Sequence, residues 1–386
     1  MGRNLRILAT CFAWLVCTCT AALGQSQPFD TTARQAILID ARAGTVFFEK
    51  NADDLIEPAS TSKLMTIVMI FEALKAGKLK MDQEFLISED VWRRGGATSG
   101  GSTMYAELNS EVKLSDLLQG IIVQSANDAC IAIAEGMAGS EEAFAQQMTG
   151  RARELGLTHS VFKNSTGLPD PEHRMTAREL AMLAQYIIVS FPEYYHYFSQ
   201  PSFTWNNITQ QNRNPLLTEY EGADGLKTGY TREAGYSLVG SAVRDGRRLI
   251  MVIAGMQSIA ERKREAQKLL DYGFRQFKPI TAYGAKERVA SARVWGGEQS
   301  SVDLIAPDEM RILLSPDEQE QIEADLHYNG PLMAPVAKGQ KVGVVRFIVN
   351  GKAISEFPVE TGQDVSATAS MWKKALDSLI FLVFGG

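Results

Sequence analysis

Pro58-Ala59-Ser60-Thr61-Ser62-Lys63-Leu64-Met65-Thr66-Ile67-Val68-Met69-Ile70-Phe71 is the stretch on which the fold of this 386-residue chain turns. Ser60 and Lys63 stand three residues apart at the head of a run that reads as one helix. That spacing puts hydroxyl and amine on one helix face, a turn apart and close enough to exchange a proton. The run behind them is apolar nearly all round, so it belongs in a domain interior rather than on a surface. A lysine at the mouth of such a helix is partly desolvated, which disfavours its charged form and turns it towards a base. A serine activated by a neighbouring amine is a known route to acyl transfer. Taken alone, the pair reads first as a serine N-cap followed by a surface lysine. Other motifs have to decide.

Outward from this helix, the chain is long enough for two or three domains and at least one large core. Its apolar fraction of 45% and charged fraction of 22% are ordinary for a globular protein. The formal net charge of -6, with no run of Lys or Arg, argues against a nucleic-acid partner. The N-terminus reads as a leader: Arg3 and Arg6, an apolar run over 7–16, then small residues at Ala22-Leu23-Gly24. Cleavage is expected after Gly24, giving a signal peptide over 1–24; an uncleaved anchor is the alternative, but the run is short for a spanning helix. Cys11, Cys17 and Cys19 leave with it, so Cys130 stands alone and no intrachain disulfide can form. Cys130 sits in an apolar run and reads as a small core residue. The four histidines show no paired-ligand spacing, so neither a metal nor a cofactor is expected.

On the N-terminal side, 35–50 reads as a hairpin turning at Ala43-Gly44, and the Ser60 helix should end at Gly77. The segment 87–105, rich in Gly and Ser, reads as a mobile loop. Ser115 should cap a helix over 115–124, and Asp128 one over 129–135, with Ser125-Ala126-Asn127 connecting them. A helix over 141–155 closes at Gly156, and Thr176-Ala177-Arg178-Glu179 reads as a capping box. After Gly225 come three strands, over 226–230, 236–243 and 249–254, and a helix over 262–277. Strands at both sequence ends around helices fit an α/β domain, 25–278, whose sheet the returning chain completes. Short β-rich runs, with a hairpin turn at Asn350-Gly351, then read as a small β-sandwich over 279–361. A linker and amphipathic helix follow over 362–386. There Trp372, Ala375, Leu376, Leu379 and Ile380 share one side, opposite Lys373, Lys374 and Asp377. It is too short to span a bilayer and reads as an interfacial anchor; docking on the protein's own core or on a dimer partner is the alternative.

Three motifs now stand in order: Ser60-x-x-Lys63, Ser125-Ala126-Asn127 and Lys227-Thr228-Gly229. Each is weak alone; together they supply what serine acyl transfer needs. Ser60 attacks and Lys63 takes its proton. Ser125 passes the proton on to the leaving amine, and Asn127 orients Lys63 and holds the substrate amide. Lys227 is expected to keep its charge, to depress the pKa of Lys63 and, with Thr228, to bind a carboxylate. Gly229 leaves room for a substrate backbone beside the strand. The backbone N–H groups of Ser60 and Tyr230 are the expected oxyanion hole.

This set resembles the serine penicillin-recognising enzymes, and among them the D-alanyl-D-alanine carboxypeptidases, the low-molecular-mass penicillin-binding proteins. The resemblance covers nearly the whole chain. It takes in 58–66, 124–129 and 224–231, the Ser165-Thr166-Gly167-Leu168-Pro169 stretch, the β-domain and the amphipathic tail. It implies a catalytic domain of the β-lactamase/transpeptidase-like type, an antiparallel sheet with a helical subdomain. It also implies removal of the terminal D-Ala from peptidoglycan stem pentapeptides, acylation by β-lactams, and a periplasmic place on the outer face of the inner membrane. By the same resemblance Arg213 and Arg262 fall near the carboxylate pocket. Tyr230 stands where some relatives carry His, so only its backbone is given a part.

Rivals share the machinery. A class A β-lactamase needs a Glu to activate water for deacylation; no Glu-x-x-Leu-Asn occurs here, and Ala126 stands where those enzymes have Asp. A D,D-endopeptidase fits the same motifs, and so does a penicillin-binding sensor that is acylated without turnover.

Overall fold

A computed structural model describes residues 29–384. The expected leader, with Cys11, Cys17 and Cys19, lies outside the described residues. The chain divides into Met1–Asp30, of which only Phe29 and Asp30 are described, and Thr31–Gly386, to which everything below belongs.

A five-stranded antiparallel sheet carries the first domain. Strands β1 (Gln35–Asp40) and β2 (Val46–Lys50) form the expected hairpin, and β3 (Ala223–Thr231), β4 (Gly235–Arg244) and β5 (Arg247–Met256) the expected meander. Their order is β2-β1-β5-β4-β3, so the start of the chain pairs with its return, Gln35 opposite Ala254. Both faces are covered, which is why β1 and β5 read as continuous apolar runs rather than alternating ones. Ile37 and Ile39 enter the core shared with the helices, whereas Leu38 and Leu249 meet Gly273 on the long helix Ile259–Gln276.

Helix α1 (Lys63–Lys75) runs through the middle of that core, with nine of its thirteen residues buried, Lys63 among them. Ser60 sits one turn earlier, in a tight 3-10 turn (Ala59–Ser62) continuous with α1. Gly77, in the left-handed region at φ +67, ends the helix, and its N–H donates to the Leu74 carbonyl.

Several local expectations are corrected. The segment 87–105 is not simply a loop. It contains α2 (Glu89–Gly95), capped by the Ser88 hydroxyl, with Glu89 and Asp90 paired to Arg93 and Arg94 one turn on. Its glycines mark close packing, since a Cβ on Gly95 would lie 2.4 Å from the Asp128 nitrogen. Ser115 is not a cap: α3 (Leu114–Gln119) starts at Leu114 behind Lys113, which makes no side-chain cap bond, because a short strand (Glu111–Lys113) delivers the chain there. Asp128 caps nothing either. It lies inside α4 (Asn127–Ala138), its buried carboxylate accepting from Thr103 Oγ1 at 2.6 Å and from the nitrogens of Met104 and Ala106. The capping box before α6 (Ala177–Ser190) is half-formed: Thr176 accepts from the Glu179 nitrogen, but the Glu179 carboxylate turns to His159 and Ser160. Helix α5 (Glu141–Glu154) closes at Gly156 as expected.

The second domain is all β. Lys278–Tyr283 pairs with Met310–Leu314, and six further strands make a second sheet around a core that includes Val302, Leu304, Ile312, Leu314, Val345 and Phe347. Asn350 and Gly351, both at positive φ, turn the hairpin between Lys341–Val349 and Lys352–Thr361. The tail forms the expected helix, Met371–Phe384. It docks by its polar side: Asp377 accepts from the Gly296 nitrogen at 3.0 Å, Ser378 from Trp295 Nε1 at 3.1 Å, and Lys373 donates to the Glu298 carbonyl. Trp372 is 88% exposed and Leu376 and Leu379 are also exposed, so the apolar side faces outward.

Candidate active site

Ser60, Ser125 and Lys227 open motifs 65 and 102 residues apart in the chain, yet these lie on adjoining elements, as the contacts below show. Ser60 is half-buried on its 3-10 turn, and Lys63 Nζ lies 3.0 Å from its Oγ. Lys63 is completely buried. Its amine also donates to Asn127 Oδ1 at 2.8 Å and to the Thr166 carbonyl, so three oxygens fix its position. The Lys63 amine is pushed down to about 8, first by burial and then by Arg213, against the upward pull of Glu141 and Asp128. A substantial fraction is therefore neutral near physiological pH, and a neutral amine 3 Å from a hydroxyl can accept its proton.

Ser125 reaches the site through a helix irregularity. After α3 the backbone widens into a π-turn over Gly120–Gln124, then Ser125 takes a left-handed conformation with φ +61 before α4 begins. Such widened turns often sit at functional sites because they re-aim the residues that follow. The Ser125 hydroxyl is buried and has no hydrogen-bond partner among the described residues, a cost that a structure carries where a ligand or proton relay completes the group.

Strand β3 supplies the third motif and packs directly on the Ser60 turn. A Cβ on Gly229 would lie 2.5 Å from Ser237 Oγ, 3.0 Å from the Pro58 carbonyl and 3.1 Å from Thr61 Cγ2, so no side chain fits there. Lys227 and Thr228 are buried beside it. Burial, and after it the neighbouring Lys63 and Arg213, push the Lys227 amine well below the ordinary lysine range. Two buried amines with no carboxylate on either share the penalty of charge, and an anionic ligand beside them would favour their protonated forms.

Arg213 and Arg262 join these amines. Arg213 Nη1 donates to Ser102 Oγ at 2.6 Å, and burial lowers its pKa. Arg262 lies over the Tyr236 ring at 5.6 Å with its Nε unpartnered, and burial pushes it down to about 10. Neither arginine forms a salt bridge among the described residues. Four basic side chains held together without a carboxylate partner make a pocket that favours an anion. Tyr230, 53% exposed, stacks on Tyr236 at 4.3 Å, so its ring lies at the rim.

Sequence reasoning assigned no part to Ser102, whose carbonyl accepts from the Asn127 nitrogen at 2.8 Å, or to the Thr166 carbonyl. A backbone carbonyl leaves no mark on residue type. The one available signal was Gly167, which has φ +75 and whose Cβ would lie 1.9 Å from the Ala59 carbonyl oxygen. Only glycine lets this loop press against the Ser60 turn.

Residues 21–258 match the family model described as D-alanyl-D-alanine carboxypeptidase, and 277–367 that described as penicillin-binding protein 5, C-terminal domain. The chain is 38% identical over 367 residues to the D-alanyl-D-alanine carboxypeptidase DacC of Escherichia coli K12, covering 94% of this chain and 92% of that protein. Its fold is similar to penicillin-binding protein 5 of Haemophilus influenzae, with TM-score 0.76 and 35% identity over 88% of this chain and 99% of that one. It is also similar to penicillin-binding protein D2 of Listeria monocytogenes in its ampicillin-bound form, with TM-score 0.56 and 27% identity over 65% of this chain and all of that one.

Proposed function

Because the chain belongs to the D-alanyl-D-alanine carboxypeptidase family, we propose that Ser60 is its nucleophile, Lys63 the base that activates it and Ser125 the relay to the leaving group. The protein is a serine-type D-Ala-D-Ala carboxypeptidase, a hydrolase acting on peptidoglycan stem peptides, and β-lactams bind it. Ser60 Oγ adds to the carbonyl of the penultimate D-Ala as its proton passes to Lys63 Nζ. The tetrahedral oxyanion is met by the backbone N–H groups of Ser60 and Tyr230. Collapse breaks the peptide bond, and the departing D-Ala amine takes a proton through Ser125. Water then releases the shortened stem from Ser60. Asn127 holds Lys63 and the substrate amide, while Gly229 leaves room for the peptide along β3. The terminal carboxylate sits among Lys227, Thr228, Arg213 and Arg262.

The observation that carries this assignment is a completely buried amine 3.0 Å from the Ser60 hydroxyl. Ser60→Ala is expected to abolish both fluorescent-penicillin labelling and D-Ala release from a pentapeptide. Retained labelling would refute the site, and stoichiometric labelling of the wild type without D-Ala release would favour a sensor.

The domain division at 24, 278 and 361 is part of the same proposal, as is the place of action. The enzyme is exported and works in the periplasm. It is held on the outer face of the inner membrane by the helix Met371–Phe384, whose outward apolar side supports an interfacial anchor. Among the described residues no helix is long and apolar enough to cross a membrane.

A further inference from the structure

Glu141 is a carboxylate only 3% exposed, lying outside the three motifs. It opens α5, where the helix N-terminus favours a negative charge. One oxygen, Oε1, accepts from both the nitrogen and the hydroxyl of Ser165, at 2.9 and 2.6 Å. The other accepts from Arg94 at the end of α2. Ser165 is gripped from its other side as well, since Thr66 Oγ1, one turn beyond Lys63 on α1, donates to its carbonyl at 2.7 Å. The next carbonyl, that of Thr166, accepts from Lys63 Nζ. The residue after it, Gly167, presses on the Ser60 turn. Glu141 is thus linked to Lys63 by a hydrogen bond at each end of the Ser165–Thr166 dipeptide, and among the described residues no other carboxylate hydrogen-bonds Ser165.

We propose that Glu141 is a positioning residue for Lys63, fixing Ser165 and Thr166 so that the Thr166 carbonyl holds the amine against Ser60. The assignment rests on Lys63 being the base. Glu141 also acts on that amine through its charge. The groups facing Lys63 are Asp128 and Cys130 on α4, Glu141 on α5, His173, Arg213, and Lys227 on β3; of the carboxylates, Glu141 and Asp128 both support its protonated form. Without the Glu141 charge, the amine loses its proton at lower pH.

The test is the rate of acylation by a fluorescent penicillin, and D-Ala release from a pentapeptide, across pH for the full chain and four variants. Glu141→Gln should slow acylation on the order of tenfold to a hundredfold, the scale of a small misplacement of a catalytic group. It should leave KM for the peptide nearly unchanged and move the acid limb of the profile to lower pH. Glu141→Asp, which keeps the charge, should return the limb towards its wild-type position. Ser165→Ala should slow acylation without moving the limb, and it carries the test if Glu141→Gln fails to fold. Wild-type rates in both Glu141→Gln and Ser165→Ala, or a slowed Glu141→Gln whose limb has not moved, would overturn the proposal. Wild-type acylation by Lys63→Ala would instead overturn the assignment of the base.

Discussion

The proposed role of Lys63 as a base follows from where it lies, and its surroundings make this testable by pH. With burial holding the amine at about 8, acylation should rise with pH through that region as the amine sheds its proton. A labelling rate flat from pH 6 to 10 would contradict this. The same displacement has a stability consequence. Between about 8 and the ordinary lysine value of about 10.4 the unfolded chain binds a proton that the folded one does not, so stability rises with pH there. Below 8 both states are protonated and the folded state carries the full cost, about 3 kcal/mol. Denaturant unfolding should therefore give a higher free energy at pH 9.5 than at 7.5, and Lys63→Met should lose part of that rise, the buried Lys227 supplying a share of its own. Serine, lysine and their spacing were legible in the chain. The lowered pKa of Lys227 was not, because it follows from Lys63, Arg213 and burial, all supplied by distant segments.

Among the elements, the tight contact between the 164–168 loop and the Ser60 turn has the sharpest consequence. At Gly167 a methyl group would have to occupy the space of the Ala59 carbonyl, in a left-handed conformation besides. Gly167→Ala is expected to destabilise the protein by about 3 kcal/mol and to slow acylation, because the turn carrying Ser60 must move. Thermal unfolding and penicillin labelling read the two effects. An unchanged melting temperature would show that the loop can yield. Strand and helix identities were largely legible, because apolar runs and capping residues are local signals. Their limits were less so. Asp128 resembles a cap in sequence but spends its carboxylate on Thr103, Met104 and Ala106, and the Gly- and Ser-rich segment hides α2, whose Gly95 serves packing against α4.

For the whole molecule, the C-terminal helix makes a prediction of its own. Truncation after Ser370 should leave D-Ala release intact and abolish flotation with phospholipid vesicles, since the outward side of Trp372, Leu376 and Leu379 would be gone. Undiminished flotation of the truncated chain would place the membrane contact elsewhere. By itself, the sequence determined the α/β domain with its flanking strands, the β-rich domain, the helical tail and the family to which the chain belongs. Periodicity, turn residues and short motifs are local properties, and they survive being read in one dimension. Only the tertiary structure decided which carbonyl holds Lys63, how the four basic side chains crowd together and which side of the tail helix faces outward. Those depend on burial and on charges brought together from distant parts of the chain, and neither exists until the chain has folded.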